Sequence, residues 1–321
     1  TSAVNLAAGT TLDIDGAAIY QGGAFTGAAG SLFRPGTIVV NNATTFDFTG
    51  GTVDLDDAGG IATLNASLAV NAASIEREPG DVYGGTMNIA NNAGLRVNIT
   101  GGGPWELGGT ITYNGGATQP TTAFLAGSRL VINPDATLNV NGQGTTLAPL
   151  DIAGTVSINS ADGSLGLYGG FLGSTAIHNM TGGTIVGPGQ LEVPSSSRLI
   201  GFGTIFADIV TSGSPVLGAG DVLADNGTLG IRSILSANIV GTNSSTGNII
   251  LYQPLDTGNF TALELNGGVV FQSAGGLKTI HNNGIIRGHG QITAPINNNT
   301  EIIAQDDLLF LSNPNNDLDG T

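Results

Sequence analysis

A glycine-containing turn followed by a short run of alternating apolar and polar residues recurs along the chain, and this pattern most constrains the fold. Gly-Gly-Thr begins such runs at Gly50, Gly84, Gly108 and Gly182. Glycine supplies the positive φ that a sharp corner needs, and a period of two is that of a strand with one buried face. Because Gly, Asn, Thr and Asp interrupt every window in which a helix could extend, the pattern predicts an all-β chain with almost no helix.

The clearest internal match pairs two copies of a Gly-x-Gly-x-Ile-x-Ala-x-Ile segment, residues 201–209 and 288–296. A third, shorter copy begins at Gly187. Chains that repeat one strand-and-turn unit stack it coil upon coil, and each coil buries one alternate set of side chains. The repeat therefore predicts a right-handed parallel β-solenoid, or β-helix. The irregular spacing between turns predicts coils of unequal length.

We expect one β-solenoid domain over residues 1–312, with on the order of a dozen coils of about 20 to 30 residues each. Residues 313–321, rich in Asn and Asp, are interpreted as an acidic tail or linker. Asparagines at turns, such as residues 297–299, are predicted to form ladders between coils. An array of β-sandwiches is the alternative fold, because Asn-Gly pairs such as Asn114-Gly115 are typical of hairpin turns.

The Gly-x-Gly-x-Ile-x-Ala-x-Ile copies, followed by an Asn-rich turn, resemble the repeats of bacterial secreted β-solenoid surface proteins, including autotransporter-type passengers and related exoproteins. The likeness covers the latter half of the chain well and the first half loosely. It implies an extracellular location and a role in surface display, adhesion or assembly into fibres, because those families are mostly non-enzymatic scaffolds.

The charge balance of the chain is strongly acidic. Eight Lys and Arg residues stand against 24 Asp and Glu residues, a formal net charge of −16. No basic stripe is present that could neutralise phosphates, which argues against nucleic acid and anionic membrane surfaces as partners. The absence of cysteine excludes a disulfide scaffold and a thiolate metal site. Without an apolar run of about 18 residues or a signal-peptide pattern after Thr1, we expect a mature secreted product or an excised region, with no membrane insertion.

The first and last strand runs are predicted to form assembly surfaces. Strands at the two ends of a solenoid expose unpaired backbone groups, so head-to-tail stacking of copies would extend the same hydrogen-bond ladder. We therefore predict a structural subunit of an extracellular bacterial fibre or surface layer that self-associates through its ends. The predicted assembly residues are Val4, Leu6, Leu12, Ile14, Leu308 and Phe310.

A monomeric adhesin or glycan-binding passenger is the alternative function. Aromatic side chains could stack on sugar rings if they lined one exposed face, although single aromatics in a thin β core more often fill it. Core packing is therefore the preferred interpretation. The aromatic residues concerned are Trp105, Phe124, Tyr168, Phe171 and Tyr252.

Residues 288–290, Gly-His-Gly, resemble one element of the polygalacturonase active site, so a polysaccharide-degrading β-helix enzyme is a third, less favoured function. That family also needs paired carboxylates and a basic residue that holds the substrate carboxylate. Here the carboxylate pair 306–307 follows the tripeptide instead of preceding it, and no Lys or Arg follows Arg287. Because His289 aligns with Phe202 in the internal repeat, we interpret it as a corner residue and predict neither catalytic residues nor an enzyme.

Carboxylates two residues apart on one side of a strand are the candidate metal ligands. Calcium takes oxygen ligands of this kind, but none of these pairs completes a twelve-residue calcium loop. Solvated strand faces are the preferred interpretation, so we predict no cofactor, with calcium as the weaker alternative. The weak calcium candidates are Asp13, Asp15, Asp54, Asp56, Asp317 and Asp319.

Overall fold

The computed structural model describes residues 3–55, 60–75, 83–100, 103–118, 123–168, 176–210 and 220–319. Within these residues the regular secondary structure is almost entirely β-strand, and the strands pair in parallel. They form a β-solenoid of about 13 turns, which confirms the predicted fold class. The alternative, an array of β-sandwiches, is wrong because sandwiches are built from antiparallel strands.

The chain groups into two compact units, Thr1–Leu165 and Gly166–Thr321, called here the N-terminal and C-terminal units. The strands from the N-terminal unit to the boundary are β1 (Ala3–Leu6), β2 (Thr11–Asp13), β3 (Ala17–Gly27), β4 (Leu32–Arg34), β5 (Thr37–Val53), β6 (Ile61–Leu64), β7 (Leu68–Ser74), β8 (Thr86–Ala90), β9 (Leu95–Ile99), β10 (Trp105–Leu107), β11 (Thr110–Asn114), β12 (Leu125–Gly127), β13 (Leu130–Ile132), β14 (Thr137–Val140), β15 (Gln143–Thr146), β16 (Leu150–Ile152), β17 (Thr155–Ile158) and β18 (Ser164–Leu167). The strands of the C-terminal unit are β19 (Ala176–Val186), β20 (Gln190–Glu192), β21 (Ser197–Val210), β22 (Asp221–Ile234), β23 (Ala237–Thr242), β24 (Asn248–Leu251), β25 (Leu255–Asp256), β26 (Phe260–Gln272), β27 (Ile280–Asn282), β28 (Ile285–Ile292), β29 (Ile296–Asn298) and β30 (Glu301–Leu311). A short 3₁₀ helix, Thr257–Asn259, follows β25.

The coils at the start of the N-terminal unit repeat three strand positions. The first coil consists of β1, β2 and the beginning of β3, and the second of the end of β3, β4 and the beginning of β5. Val4 pairs with Phe25, and Phe25 pairs with Phe46, so equivalent side chains lie above one another in successive coils. Equivalent side chains of successive coils therefore form columns that run from coil to coil. Because side chains alternate along each strand, every second column faces the interior, and these are called here the inside columns.

Aromatic rings fill the interior at the start of this unit. The ring of Phe33 stacks on the rings of Phe25 and Phe48, with centroids 5.6 and 5.3 Å apart, and meets the ring of Phe46 edge-on at 5.0 Å. Tyr20 packs edge-on against Phe25 and Phe46, and burial raises the pKa of its phenol. Each buried ring contributes about 1.5–3 kcal/mol relative to an exposed one, so this cluster anchors the first coils.

The two Gly-x-Gly copies form the same kind of corner in the C-terminal unit. All four glycines, at 201, 203, 288 and 290, have φ between 110° and 137°. Strand pairing shifts in register at both corners, because the partner strands β22 and β30 contain extra residues there, at 225–228 and 305–308. Phe202 and His289 each lie between two of these positive-φ glycines, so His289 occupies a repeat corner equivalent to that of Phe202. A Cβ on Gly201 would overlap the backbone carbonyl oxygen of Met180.

Side-chain ladders link successive coils near β25, β27 and β29. Inside the solenoid, Asn282 accepts a hydrogen bond from Thr257 Oγ1 at 2.7 Å and donates to Asn298 Oδ1 at 2.5 Å. On the outside, Asn299 donates to Asn283 Oδ1 at 2.9 Å. The predicted asparagine ladders are confirmed here. The ladder partners lie 25 and 16 residues apart, so the coils differ in length as predicted.

Candidate functional site

The first coil has an open strand edge, called here the first-coil edge and defined as residues 3–20. Among the residues that the structure describes, β1 pairs with β3 and β2 with β4, and neither has a second neighbour. Val4 and Leu12 lie over Phe25 and Phe33, so their side chains belong to the inside columns. Val4 is nevertheless 37% exposed, whereas Phe33 in the next coil is completely buried.

The other side chains of the first-coil edge are also partly uncovered. Leu6 lies over Gly27 and is half-buried. Ile14 follows β2, is half-buried, and its backbone N–H donates to the carbonyl oxygen of Arg34 at 3.0 Å. Ile19 faces outward from β3 and is 63% exposed. The structure thus places the four predicted assembly residues of the N-terminal segment at one open edge.

The last coil of the described chain has a second open edge, called here the last-coil edge and defined as residues 301–319. Among the described residues, β30 pairs with β28 alone. Ile302 and Leu311 lie over Ile286 and Ile292, which are both completely buried. Because they continue the inside columns, Ile302 and Leu311 are the core residues that this edge leaves partly uncovered.

The predicted assembly residues of the last coil lie beside these inside columns. Leu308 is 69% exposed and follows Asp306, a corner residue with φ 64°. Phe310 is 52% exposed and pairs with Gln291 on the outer face. Sequence reasoning missed Ile302, although its position one residue after the start of β30 matches that of Ile286 in β28.

Both open edges carry acidic side chains. Asp13 and Asp15 lie at the first-coil edge, and neither edge contains a Lys or Arg. The acidic residues of the last-coil edge are Glu301, Asp306, Asp307, Asp317 and Asp319. Bringing the two edges together therefore brings like charges together.

Two of the calcium candidates are bonded to an arginine. Arg34 Nη1 lies 2.8 Å from Asp13 Oδ2, and Arg34 Nε lies 3.4 Å from Asp54 Oδ2. The three residues follow one another in successive coils, with Asp54 buried and Asp13 more exposed. A guanidinium thus occupies the position between the carboxylates that a bound cation would take.

The remaining calcium candidates do not form a cluster within the part of the chain that the structure describes. Asp15 is exposed, as are Asp317 and Asp319, and Asp56 lies outside the described residues. The backbone N–H of Asp317 donates to the carbonyl oxygen of Ile296 at 2.7 Å, so the described part of the acidic segment pairs with β29. Nowhere in the described ranges do three His, Asp or Glu side chains come together as a metal site.

Other arginines also form ion pairs between neighbouring strands. Each bonds to a carboxylate that lies between 22 and 24 residues away along the chain. Half-exposed pairs of this kind contribute about 0–1 kcal/mol each, but they hold neighbouring coils in register. The pairs are Arg129–Asp151, Arg198–Asp221, Arg232–Asp208 and Arg287–Glu264.

The aromatic residues considered for glycan stacking do not form one exposed row. Trp105 and Phe124 are buried, as the core-packing interpretation predicts. Tyr168 and Tyr252 are half-buried, and Phe171 lies outside the described residues.

Comparisons with known proteins return no relative: no family model, no curated protein and no solved structure matches the chain. In the ranges that the structure describes, no helix is both long and apolar enough to cross a membrane. The parallel coils themselves define the class of the chain, a β-solenoid protein.

Proposed function

We propose that the chain is a structural subunit of an extracellular bacterial fibre or surface layer, and that copies join head to tail through the two open edges. The observation that supports this most is the partial exposure of inside-column residues, Val4 and Leu12 at one edge and Ile302 and Leu311 at the other. A further parallel coil would cover these side chains and also pair with the free backbone groups. A second copy supplies such a coil.

The use of the polar side chains supports a structural role over a catalytic one. The arginines described above bond to carboxylates of the same chain, and the asparagines of the C-terminal ladders bond to each other. These ion pairs and hydrogen bonds hold neighbouring coils in alignment. The extracellular location and the bacterial source rest on the resemblance of the Gly-x-Gly repeats to secreted surface proteins.

Charge makes this association dependent on salt. The facing edges are both acidic, and their repulsion extends over about 30 Å at 0.01 M salt but only about 10 Å at 0.1 M. We therefore expect a population of single chains at low ionic strength and filaments at high ionic strength. Sodium chloride and calcium chloride at equal ionic strength separate general screening from a specific effect of calcium.

The experiment is negative-stain electron microscopy, combined with sedimentation velocity, on the wild-type chain and two variants. Leu12→Glu places a charge in an inside column at the first-coil edge, whereas Ile19→Glu places the same charge on the outer face of the same coil. Filaments are expected from the wild type and from Ile19→Glu in high salt, and not from Leu12→Glu. Single particles from the wild type at every salt and protein concentration would contradict the proposal and favour the monomeric adhesin.

A further inference from the structure

A groove of about 220 Å³ lies at the Gly-x-Gly corner of the C-terminal unit. Its lining includes Phe202, Asp225, Asn226 and Met180. None of its lining residues belongs to either open edge. Its chemistry is therefore separate from the end-to-end association proposed above.

The ring of Phe202 is placed in the groove by two glycines. A Cβ on Gly182 would lie 3.4 Å from Phe202 Cε2, and a Cβ on Gly227 would lie 2.9 Å from Phe202 Cγ. The ring is half-buried and belongs to the corner residue between Gly201 and Gly203, outside the alternating buried positions of β21 that begin at Ile205. It offers a flat apolar surface that core packing does not use.

The carboxylate of Asp225 is held in a fixed orientation beside this ring. Its Oδ1 accepts a hydrogen bond from Ser244 Oγ at 2.5 Å, and its Oδ2 faces Asn226 Nδ2 at 3.2 Å and Asn243 Nδ2 at 3.4 Å. All three donors are neutral, and a carboxylate has about four acceptor positions. An acceptor position is therefore left for a ligand. Asn226 itself is exposed and has φ 55°, a left-handed conformation that is uncommon outside glycine.

A flat ring, an oriented carboxylate and an exposed amide are together complementary to a sugar. The C–H face of a pyranose packs on an aromatic ring, while its hydroxyls donate to carboxylates and exchange hydrogen bonds with amides. The negative charge of Asp225 disfavours anionic ligands. A volume of about 220 Å³ is below the ~300 Å³ at which drug-sized pockets begin, so the groove matches a single ring. We propose that it binds one pyranose unit of a neutral saccharide.

Methionine methyl groups provide a direct probe, because the chain has only two methionines. Met180 lines the groove, and Met87 is a buried residue of the N-terminal unit that serves as an internal reference. With ¹³C-methyl methionine, the chain is titrated in low salt with methyl β-D-glucopyranoside, methyl β-D-galactopyranoside and methyl α-D-mannopyranoside. Ligands of this size bind with dissociation constants on the order of 1 mM. The Met180 signal is expected to shift saturably with at least one glycoside, while the Met87 signal stays in place.

Variants distinguish this site from unspecific sugar contact. Asp225→Ala and Phe202→Leu are each expected to weaken binding at least tenfold, and Phe206→Ala, an exposed aromatic of the same strand outside the groove, to leave it unchanged. Glucuronate should bind at least tenfold more weakly than the neutral glucoside. A Met180 signal that no glycoside moves, or a shift that survives both groove variants, would overturn the proposal. If one variant fails to fold, the other and the glucuronate comparison still decide.

Discussion

Replacing Asn282 by leucine should open the coils around it, because this residue is the middle member of a buried polar ladder. Its Nδ2 donates to Asn298 Oδ1 at 2.5 Å and to the carbonyl oxygen of Glu301 at 3.0 Å, and its Oδ1 accepts from Thr257 Oγ1 at 2.7 Å. Leucine removes the buried partner of Asn298 Oδ1 and of the Thr257 hydroxyl hydrogen, whereas Glu301 is an exposed residue whose carbonyl oxygen water can reach. Each buried polar group without a partner costs about 1–3 kcal/mol. Even the lower limit for these two groups, about 2 kcal/mol in total, changes an opening equilibrium by a factor on the order of 30.

Hydrogen exchange measured by mass spectrometry tests this locally, on peptides that cover β25, β27 and β29. Their slow amides should exchange about 30-fold faster in Asn282→Leu, while peptides from residues 125–158 keep their wild-type rates. The matched control is Asn283→Leu, which breaks an exposed ladder whose partners water can satisfy, and it should change exchange only a few-fold. Equal acceleration in both variants would show that burial is not the cause and refute the reasoning.

Two further predictions concern the corners and the buried phenols. Gly201→Ala should destabilise the chain by at least about 2 kcal/mol, because φ at this residue is 132° and the new Cβ would overlap the Met180 carbonyl oxygen. Gly103→Ala is the control and should be nearly neutral, because its Cβ would meet only Ile99 at 3.9 Å. Equal urea midpoints for the two variants, measured by circular dichroism, would contradict this prediction. Burial raises the pKa of Tyr20 and Tyr113 above the ordinary 10.0, against a smaller lowering of the Tyr113 pKa by the Asn92 backbone. Their contribution to stability is therefore complete below about pH 10 and is lost as the pH rises further, and the urea midpoint should fall less above pH 10 in Tyr20→Phe/Tyr113→Phe than in the wild type.

The fold class could be predicted from the sequence because its signals are local. The alternating run at 95–99 is β9, and Ile111-Thr112-Tyr113 lies within β11. The ends of strands are harder to predict from the sequence: β5 continues from Thr37 to Val53 through the Gly50-Gly51 turn. The reason is that parallel pairing with the next coil can continue around a bend, whereas a glycine pair in the sequence indicates only the bend.

The candidate sites depend on register between coils, which the sequence does not contain. The side-chain ladders join residues 16 apart at Asn282–Asn298 and 27 apart at Asn71–Asn98, so no single period predicts which side chains meet. The position of Arg34 between two carboxylates could not be predicted for that reason, nor could the groove beside Phe202. That Val4 and Leu6 share one face of β1 follows from the sequence alone, because alternation within one strand puts every second side chain on the same side.

The two open edges combine opposing forces of similar size. Covering the inside side chains Val4, Leu12, Ile302 and Leu311 contributes at most about 1.5–3 kcal/mol each, and the loss of free motion on association costs about 4–15 kcal/mol. These two free energies are similar in size, so backbone pairing and charge repulsion decide the sign of the free energy of association. Each pair of carboxylates brought to 4 Å in water adds about 1 kcal/mol of repulsion. The last-coil edge alone carries several carboxylates. In the proposed assembly no single contact contributes much, so screening of the acidic side chains at the two edges would decide whether coils of separate copies join. The apolar inside columns would then determine which edges meet, and the ionic strength would determine when.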